Sequence, residues 1–284
     1  GLTSEIQARW VDRSGRPIGE VEIVSTPDAR GVRPEVVALT DGTVAIVWGP
    51  WVRRYGTDRR PLDSAPARLP VGALDAAPGP EGRLLVLADT HECPEPPDPE
   101  WDCAGGLEPT TVLLAFGSDG VVIEEERHRL SYSVLFASWD RAALASSPAI
   151  DRAAAVWLDG APPTVVLQPL TARGVPDGEL VEVGRAGDWD LPHWMDVAVN
   201  ADREVGVAWS PASTSSDSVL GWSAATGARW MDGPRDGLLR FPRIAGRISD
   251  SGFVIVWSTT PEDCDWYPPP SDCHEDIRFG FLGP

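Results

Sequence analysis

Apolar residues in this chain gather into short runs separated by polar turns, as in Pro34-Glu-Val-Val-Ala-Leu-Thr-Asp-Gly-Thr-Val-Ala-Ile-Val-Trp48. The runs are too short for helices, their β-branched content suits strands, and the Asp-Gly between them is a tight-turn signal. The segment therefore predicts a hairpin. It recurs as Pro242-Arg-Ile-Ala-Gly-Arg-Ile-Ser-Asp-Ser-Gly-Phe-Val-Ile-Val-Trp257, and again between Trp194 and Trp209. A fourth copy, with a longer turn, lies between Trp139 and Trp157; a weaker fifth spans 71–89, where Leu84-Leu-Val-Leu87 replaces the Trp-ended strand.

A second kind of hairpin follows the first. Residues 165–170 and 179–183 flank Thr-Ala-Arg-Gly-Val-Pro-Asp-Gly, and similar pairs occur at 9–12 with 20–25 and at 112–116 with 121–125. Two hairpins per unit, at a period of roughly 40 to 50 residues, describe a four-stranded propeller blade. The apolar inner strands need cover on both faces, which radial stacking supplies, while the outer strands alternate more. Trp48, Trp157, Trp209 and Trp257 share one position of the second strand, and large rings there are expected to fill the space between sheets.

The expected fold is thus all-β: a single β-propeller domain over 1–284, with five four-stranded blades at about 26–66, 67–130, 131–184, 185–232 and 233–284. Residues 1–25 supply outer strands that, with a C-terminal strand at 277–282, would close the last blade. The closure is uneven, because two N-terminal strands and one C-terminal strand make three where two suffice. Either that blade has five strands or one segment lies elsewhere.

Repeats of this type, an Asp-Gly turn leading into a β-branched run that ends in Trp and then an Asp-x-x-Gly-x-Pro-like outer hairpin, resemble those of exported bacterial β-propeller proteins. The resemblance covers nearly the whole chain. It implies a fold and says little of activity, since propellers host many functions.

Charge and composition narrow the partners. The formal net charge is -19, which repels a phosphate backbone or an anionic bilayer, so neither nucleic acid nor membrane insertion is expected. No apolar run approaches the roughly 20 residues of a membrane span. All 24 basic residues are Arg, which removes Schiff-base and P-loop lysine chemistry. There is no Gly-x-Ser-x-Gly, His-Glu-x-x-His or dinucleotide loop.

The four Cys form two close pairs in matched, Pro-rich, acidic loops that each carry one Trp: Cys93 with Cys103, and Cys264 with Cys273. Even number and short separation predict two local disulfides and hence an oxidising setting: secreted, periplasmic or cell-surface, with any export signal or lipid anchor outside this numbering. Zinc is the competing reading, given His91-Glu92 and His274-Glu275 beside the thiols, but neither pair has the usual zinc spacing. Acid-rich loops also raise calcium, although no Asp-x-Asp-x-Asp-Gly run is present. No cofactor is called for.

In a four-stranded blade, second-to-third-strand loops and the links between blades share one face. That face would collect Trp101, Trp266, Trp189, Trp194, His193 and Tyr267 with several acids. Aromatic rings beside carboxylates suit a glycan or a protein partner. The alternative is a carbohydrate-active, glycoside hydrolase-like enzyme, which needs carboxylates projecting from inner strands. The inner strands offer Glu35, Asp75, Asp140, Asp196 and Glu204, with Asp140 and Asp196 the candidates beside Trp139 and Trp194. A scaffold segment of a larger surface protein is the third reading.

Overall fold

The computed structural model describes residues 5–29, 31, 34–89, 109–117, 120–130, 142–160, 164–185, 194–210, 219–231, 238–246, 252–260 and 276–282. Every extended element is a β-strand and every pairing is antiparallel. The chain opens with a two-stranded ribbon, β1 (Gln7–Val11) and β2 (Pro17–Ile23). A first sheet follows: β3 (Glu35–Ala38), β4 (Val44–Trp48), β5 (Trp51–Tyr55) and β6 (Ala67–Arg68). The second sheet holds β7 (Gly72–Pro78), β8 (Leu84–Asp89), β9 (Pro109–Phe116) and β10 (Val122–Arg129).

The third sheet is β11 (Ala142–Ser147), β12 (Arg152–Asp159), β13 (Thr164–Leu170) and β14 (Val181–Arg185). The fourth is β15 (Trp194–Val199), β16 (Val205–Ser210), β17 (Val219–Ser223) and β18 (Gly227–Met231). The fifth has three strands, β19 (Leu238–Gly246), β20 (Phe253–Thr260) and β21 (Asp276–Leu282). Each of the five sheets is a meander in chain order, as hairpins joined by tight turns require. The first strands of successive sheets lie side by side, β3 by β7, β7 by β11, β11 by β15 and β15 by β19, so the sheets radiate with those strands innermost.

The second strands of the first four sheets are buried on both faces, and their alternation assigns each face to a neighbour. On β12, Ala153, Ala155 and Trp157 pack with Leu85, Leu87 and Leu113 of the second sheet. The intervening Ala154, Val156 and Leu158 pack with Val197, Val207 and Trp209 of the fourth. Trp257 in turn lies against Ala198, Ala208 and Val219 of the fourth sheet. The expected role of the Trp series holds: Trp48, Trp157, Trp209 and Trp257 are all buried, three of them at 0–1% exposure. Burying such a ring removes enough apolar surface from water to contribute on the order of 3 kcal/mol.

At the termini the described strands pair locally. Among the described residues the ribbon is a separate sheet in which β1 pairs with β2, and β21 pairs with β20. The ribbon instead lies over the first sheet, where Ile6, Val24 and Ala29 enclose Ile46, Trp48 and Tyr55. Trp48 Nε1 donates to Ala29 O at 2.8 Å, and Arg53 Nη1 donates to Val24 O at 3.0 Å. Of the three terminal outer strands expected from the sequence, β21 is the third strand of the fifth sheet and β1 and β2 form their own ribbon.

Outer hairpins dock backwards onto the preceding sheet. The β13–β14 turn brings Gly174 against the second sheet, where Thr111 Oγ1 donates to Gly174 O at 2.6 Å. Gly174 has φ +84°, and a Cβ there would sit 2.8 Å from both Thr111 Oγ1 and Leu85 Cδ1, so only glycine allows this approach.

Candidate functional site

Strand register brings five residues of the innermost strands to one equivalent position. Glu35 faces Val47, Asp75 faces Leu87, Ala143 faces Val156, Asp196 faces Ala208 and Arg243 faces Val256. Each partner stands immediately before the position held by Trp48, Ala88, Trp157, Trp209 or Trp257. The five sheets therefore present three acids, one alanine and one arginine at matching points. Register shifts next to Asp75 and Arg243 bring those two into line.

Asp75 and Asp196 use their carboxylates in the same way. Asp196 Oδ1 accepts from Val197 N at 3.0 Å and Oδ2 from Ile244 N of the fifth sheet at 2.9 Å. Asp75 Oδ1 accepts from Ala76 N at 2.8 Å and Oδ2 from Leu144 N of the third sheet at 2.7 Å. In both cases the donating amide of the next sheet, Leu144 or Ile244, follows the equivalent position, Ala143 or Arg243. Each carboxylate pins its own strand with one oxygen and the neighbouring sheet with the other.

The electrostatics match this setting. Loss of hydration on burial raises Asp75 well above the ordinary carboxyl value, and the charge of Glu35 adds to it. Burial likewise raises Asp196, to about 6, while the amide of Ile244 and the charge of Arg243 pull it back. Glu35 is raised by burial and lowered by Arg243, whose Nη2 lies 4.0 Å from Glu35 Oε1. That pair links the fifth sheet to the first, and it is the accessible part of the cluster: the Glu35 and Arg243 side chains are 39% and 64% exposed.

Of the two carboxylates singled out from the sequence for catalysis, Asp196 is held as above and Asp140 lies outside the described residues. Glu204 lies outside the cluster and, with Asn200, closes the β15–β16 turn. Arg243 is the basic member of this set and has no counterpart among the acidic candidates of the sequence. Among the aromatic residues expected on the loop face, Trp101, Trp189, Trp266, Tyr267 and His193 lie outside the described residues. Trp194 opens β15. Cys93, Cys103, Cys264 and Cys273 are also outside them, and the described residues include no cysteine. Among the described residues no group of three or more His, Cys, Asp or Glu is arranged to hold a metal ion.

Radiating antiparallel meander sheets, with Trp157, Trp209 and Trp257 each seated against the preceding sheet, make this a β-propeller type of fold. Solved structures give distant likenesses. The hydrazine synthase of Kuenenia stuttgartiensis is similar over 94% of this chain and 73% of its own, at TM-score 0.52 and 12% identity. A streptogramin B lyase covers 94% of this chain and 74% of its own at 0.46 and 13% identity. Regucalcin, a calcium-binding protein of Agrobacterium tumefaciens, covers 95% and 79% at 0.46 and 12%. No protein-family model matches the chain, and no curated protein does. Identities this low speak to fold alone.

Proposed function

We propose that this chain is a non-catalytic, exported binding propeller of five blades, whose terminal strands meet at the last blade. It recognises a glycan or a protein partner at the cell surface through the face that carries the two Cys-bracketed loops. The observation that carries the reading is the use of Asp196: both its oxygens are occupied by backbone amides, one in each of two sheets. Asp75 is spent identically. Carboxylates fixed in this way stitch the scaffold and are not presented to a substrate, which leaves recognition to the loops.

The strand ends support a shared face for those loops. Residues 90–108 connect β8 to β9, and residues 261–275 connect β20 to β21, so each spans a second-to-third strand step. Trp101 and Trp266, with Tyr267, Trp189, Trp194 and His193, would supply stacking surfaces, and the disulfides Cys93–Cys103 and Cys264–Cys273 would hold two of the loops in shape.

A glycan array probed with the wild-type chain and with Trp101→Ala and Trp266→Ala variants tests the reading. Binding that falls at least about tenfold in either variant, about 1.4 kcal/mol, supports it. Array binding untouched by both substitutions removes this face as the site. The second reading, a glycoside hydrolase-like enzyme using Asp140 and Asp196, draws support from the raised Asp196 carboxyl, a property of general acids. Release of reducing sugar that Asp196→Asn abolishes would favour it over binding.

A further inference from the structure

We propose that the Glu35–Arg243 pair, between the innermost strands of the first and fifth sheets, is a small-molecule site that takes a free α-amino acid. The ligand ammonium sits on Glu35, and its carboxylate sits on Arg243 and the Val36 amide. Such binding is independent of the loops that carry Trp101 and Trp266.

The fold itself shows what this register binds. Five amides directly follow the matched inner position: Val36, Ala76, Leu144, Val197 and Ile244. Four of them donate to a carboxylate, Ala76 and Leu144 to Asp75, and Val197 and Ile244 to Asp196. Val36 N is the fifth, and among the described residues no side chain accepts from it. As Asp196 of the fourth sheet reaches the Ile244 amide of the fifth, the matched residue of the fifth sheet is the one placed to reach Val36. That residue is Arg243. A cation therefore stands where the pattern puts an anion, and a second donor stands beside it.

The pair is reachable and only loosely joined. Arg243 Nη2 lies 4.0 Å from Glu35 Oε1, beyond hydrogen-bond reach, and the side chains are 64% and 39% exposed. Among the described residues no acceptor is hydrogen-bonded to the Arg243 guanidinium. An exposed pair of this kind contributes little to the fold, which leaves both charges free for a ligand.

The two signs select the ligand class. A bare anion would meet the charge of Glu35, and a bare cation would meet the guanidinium. A molecule carrying both charges a few ångströms apart avoids both penalties, and the planar carboxylate of an α-amino acid suits the guanidinium fork. Val36 is 68% exposed, and Val256, the register partner of Arg243, is exposed as well. Aliphatic surface thus flanks the pair, which suits an aliphatic side chain such as that of leucine.

Titration of the unmodified protein with L-leucine, N-acetyl-L-leucine and L-leucinamide, followed by calorimetry and NMR, tests the site. The expected result is one-to-one binding of L-leucine with a Kd of about 1 mM or tighter, and at least about tenfold weaker binding of each derivative, since one lacks the ammonium and the other the carboxylate. Arg243→Gln is expected to weaken L-leucine about tenfold and to bind L-leucinamide equally well, whereas Glu35→Gln should lose the preference over N-acetyl-L-leucine. Both side chains are exposed, so these variants should keep the wild-type thermal midpoint within about 2 °C. No binding of L-leucine up to about 10 mM overturns the proposal, as does binding that neither the derivatives nor Arg243→Gln weaken. Trp101→Ala and Trp266→Ala should leave L-leucine binding unchanged, so failure here and failure of the loop face are separable. Loss of L-leucine binding in either Trp variant would place the ligand on the loops and overturn the assignment.

Discussion

Asp196 accepts a hydrogen bond from the amide of Ile244 at 2.9 Å, joining the innermost strands of two different sheets through one carboxylate oxygen. Backbone amides at the edge of an inner strand have no ladder partner in the next sheet, and a buried donor left unpaired costs about 1–3 kcal/mol. A short acid at this register meets that need, and Asp75 meets it again at Leu144. The cost is a carboxylate with little hydration, which the raised titration of both groups records.

The direction of that shift fixes a pH dependence. Asp196 titrates at about 6 in the fold against an ordinary 3.8, so the folded chain holds this proton more tightly than the unfolded chain. Stability from this group is fully present below the unfolded value and is lost as pH rises through about 6. Asp75 shifts in the same direction. Thermal midpoints of wild type and Asp196→Asn should depend differently on pH: the variant lacks the loss between about pH 4 and 7, so the wild-type advantage at low pH shrinks as pH rises. Parallel curves across that range would mean that Asp196 does not titrate there.

Asp75→Ala should cost about 1–3 kcal/mol in urea unfolding, because it leaves the Leu144 amide without its acceptor. Ala143→Asp, at the equivalent point of the third sheet, tests the same logic in reverse. The amide that would receive it is Val197, and that amide already donates to Asp196. The added acid would find no free donor there, so this substitution should destabilise rather than form a third clamp.

How much of this could be read from the residues follows from what repeats. The hairpins were legible because Asp-Gly-type turns and β-branched runs recur, and the buried Trp positions because one ring type marks them. The matched inner position was not. Irregular register beside Asp75 and Arg243, and turns of unequal length, shift its spacing from the Trp. Glu35, Asp75 and Asp196 were therefore visible as inner-strand acids, but not as members of one set with Arg243. Their partners are main-chain amides of other sheets, which no side-chain motif announces. The detached ribbon was hidden because its strands read as ordinary outer strands.

The four aligned Trp residues should not respond alike to loss of the indole nitrogen. Trp48 Nε1 donates to Ala29 O, whereas Nε1 of Trp157, Trp209 and Trp257 is buried with no partner. Trp48→Phe removes a made hydrogen bond and strands a buried carbonyl, while Trp209→Phe removes an unsatisfied donor. Both lose ring volume, so the difference isolates the bond. Trp48→Phe is expected to cost about 1 kcal/mol more than Trp209→Phe by denaturant titration, and equal costs would place the Trp48 contact among the negligible ones.

The buried pair Arg54–Asp63 ties the first sheet to the outer hairpin of the second, and its energetics follow from desolvation. Arg54 Nη2 donates to Asp63 Oδ1 at 2.8 Å and to Gly117 O at 2.9 Å, and Asp63 Oδ2 also accepts from Arg54 N at 2.8 Å. The side chains are 11% and 2% exposed, and the guanidinium lies 4.9 Å from the Phe116 ring centre. Two ions taken this far out of water return little net stability as a pair, yet removing one leaves the other uncompensated. Asp63→Ala should therefore cost about 3–5 kcal/mol, enough to lower the thermal midpoint by roughly 10 °C. Arg54→Met combined with Asp63→Leu should recover most of that loss, because an apolar pair owes nothing to hydration. A double variant as unstable as Asp63→Ala would show that the Gly117 carbonyl and the Arg54 amide, rather than the charges, hold this corner together.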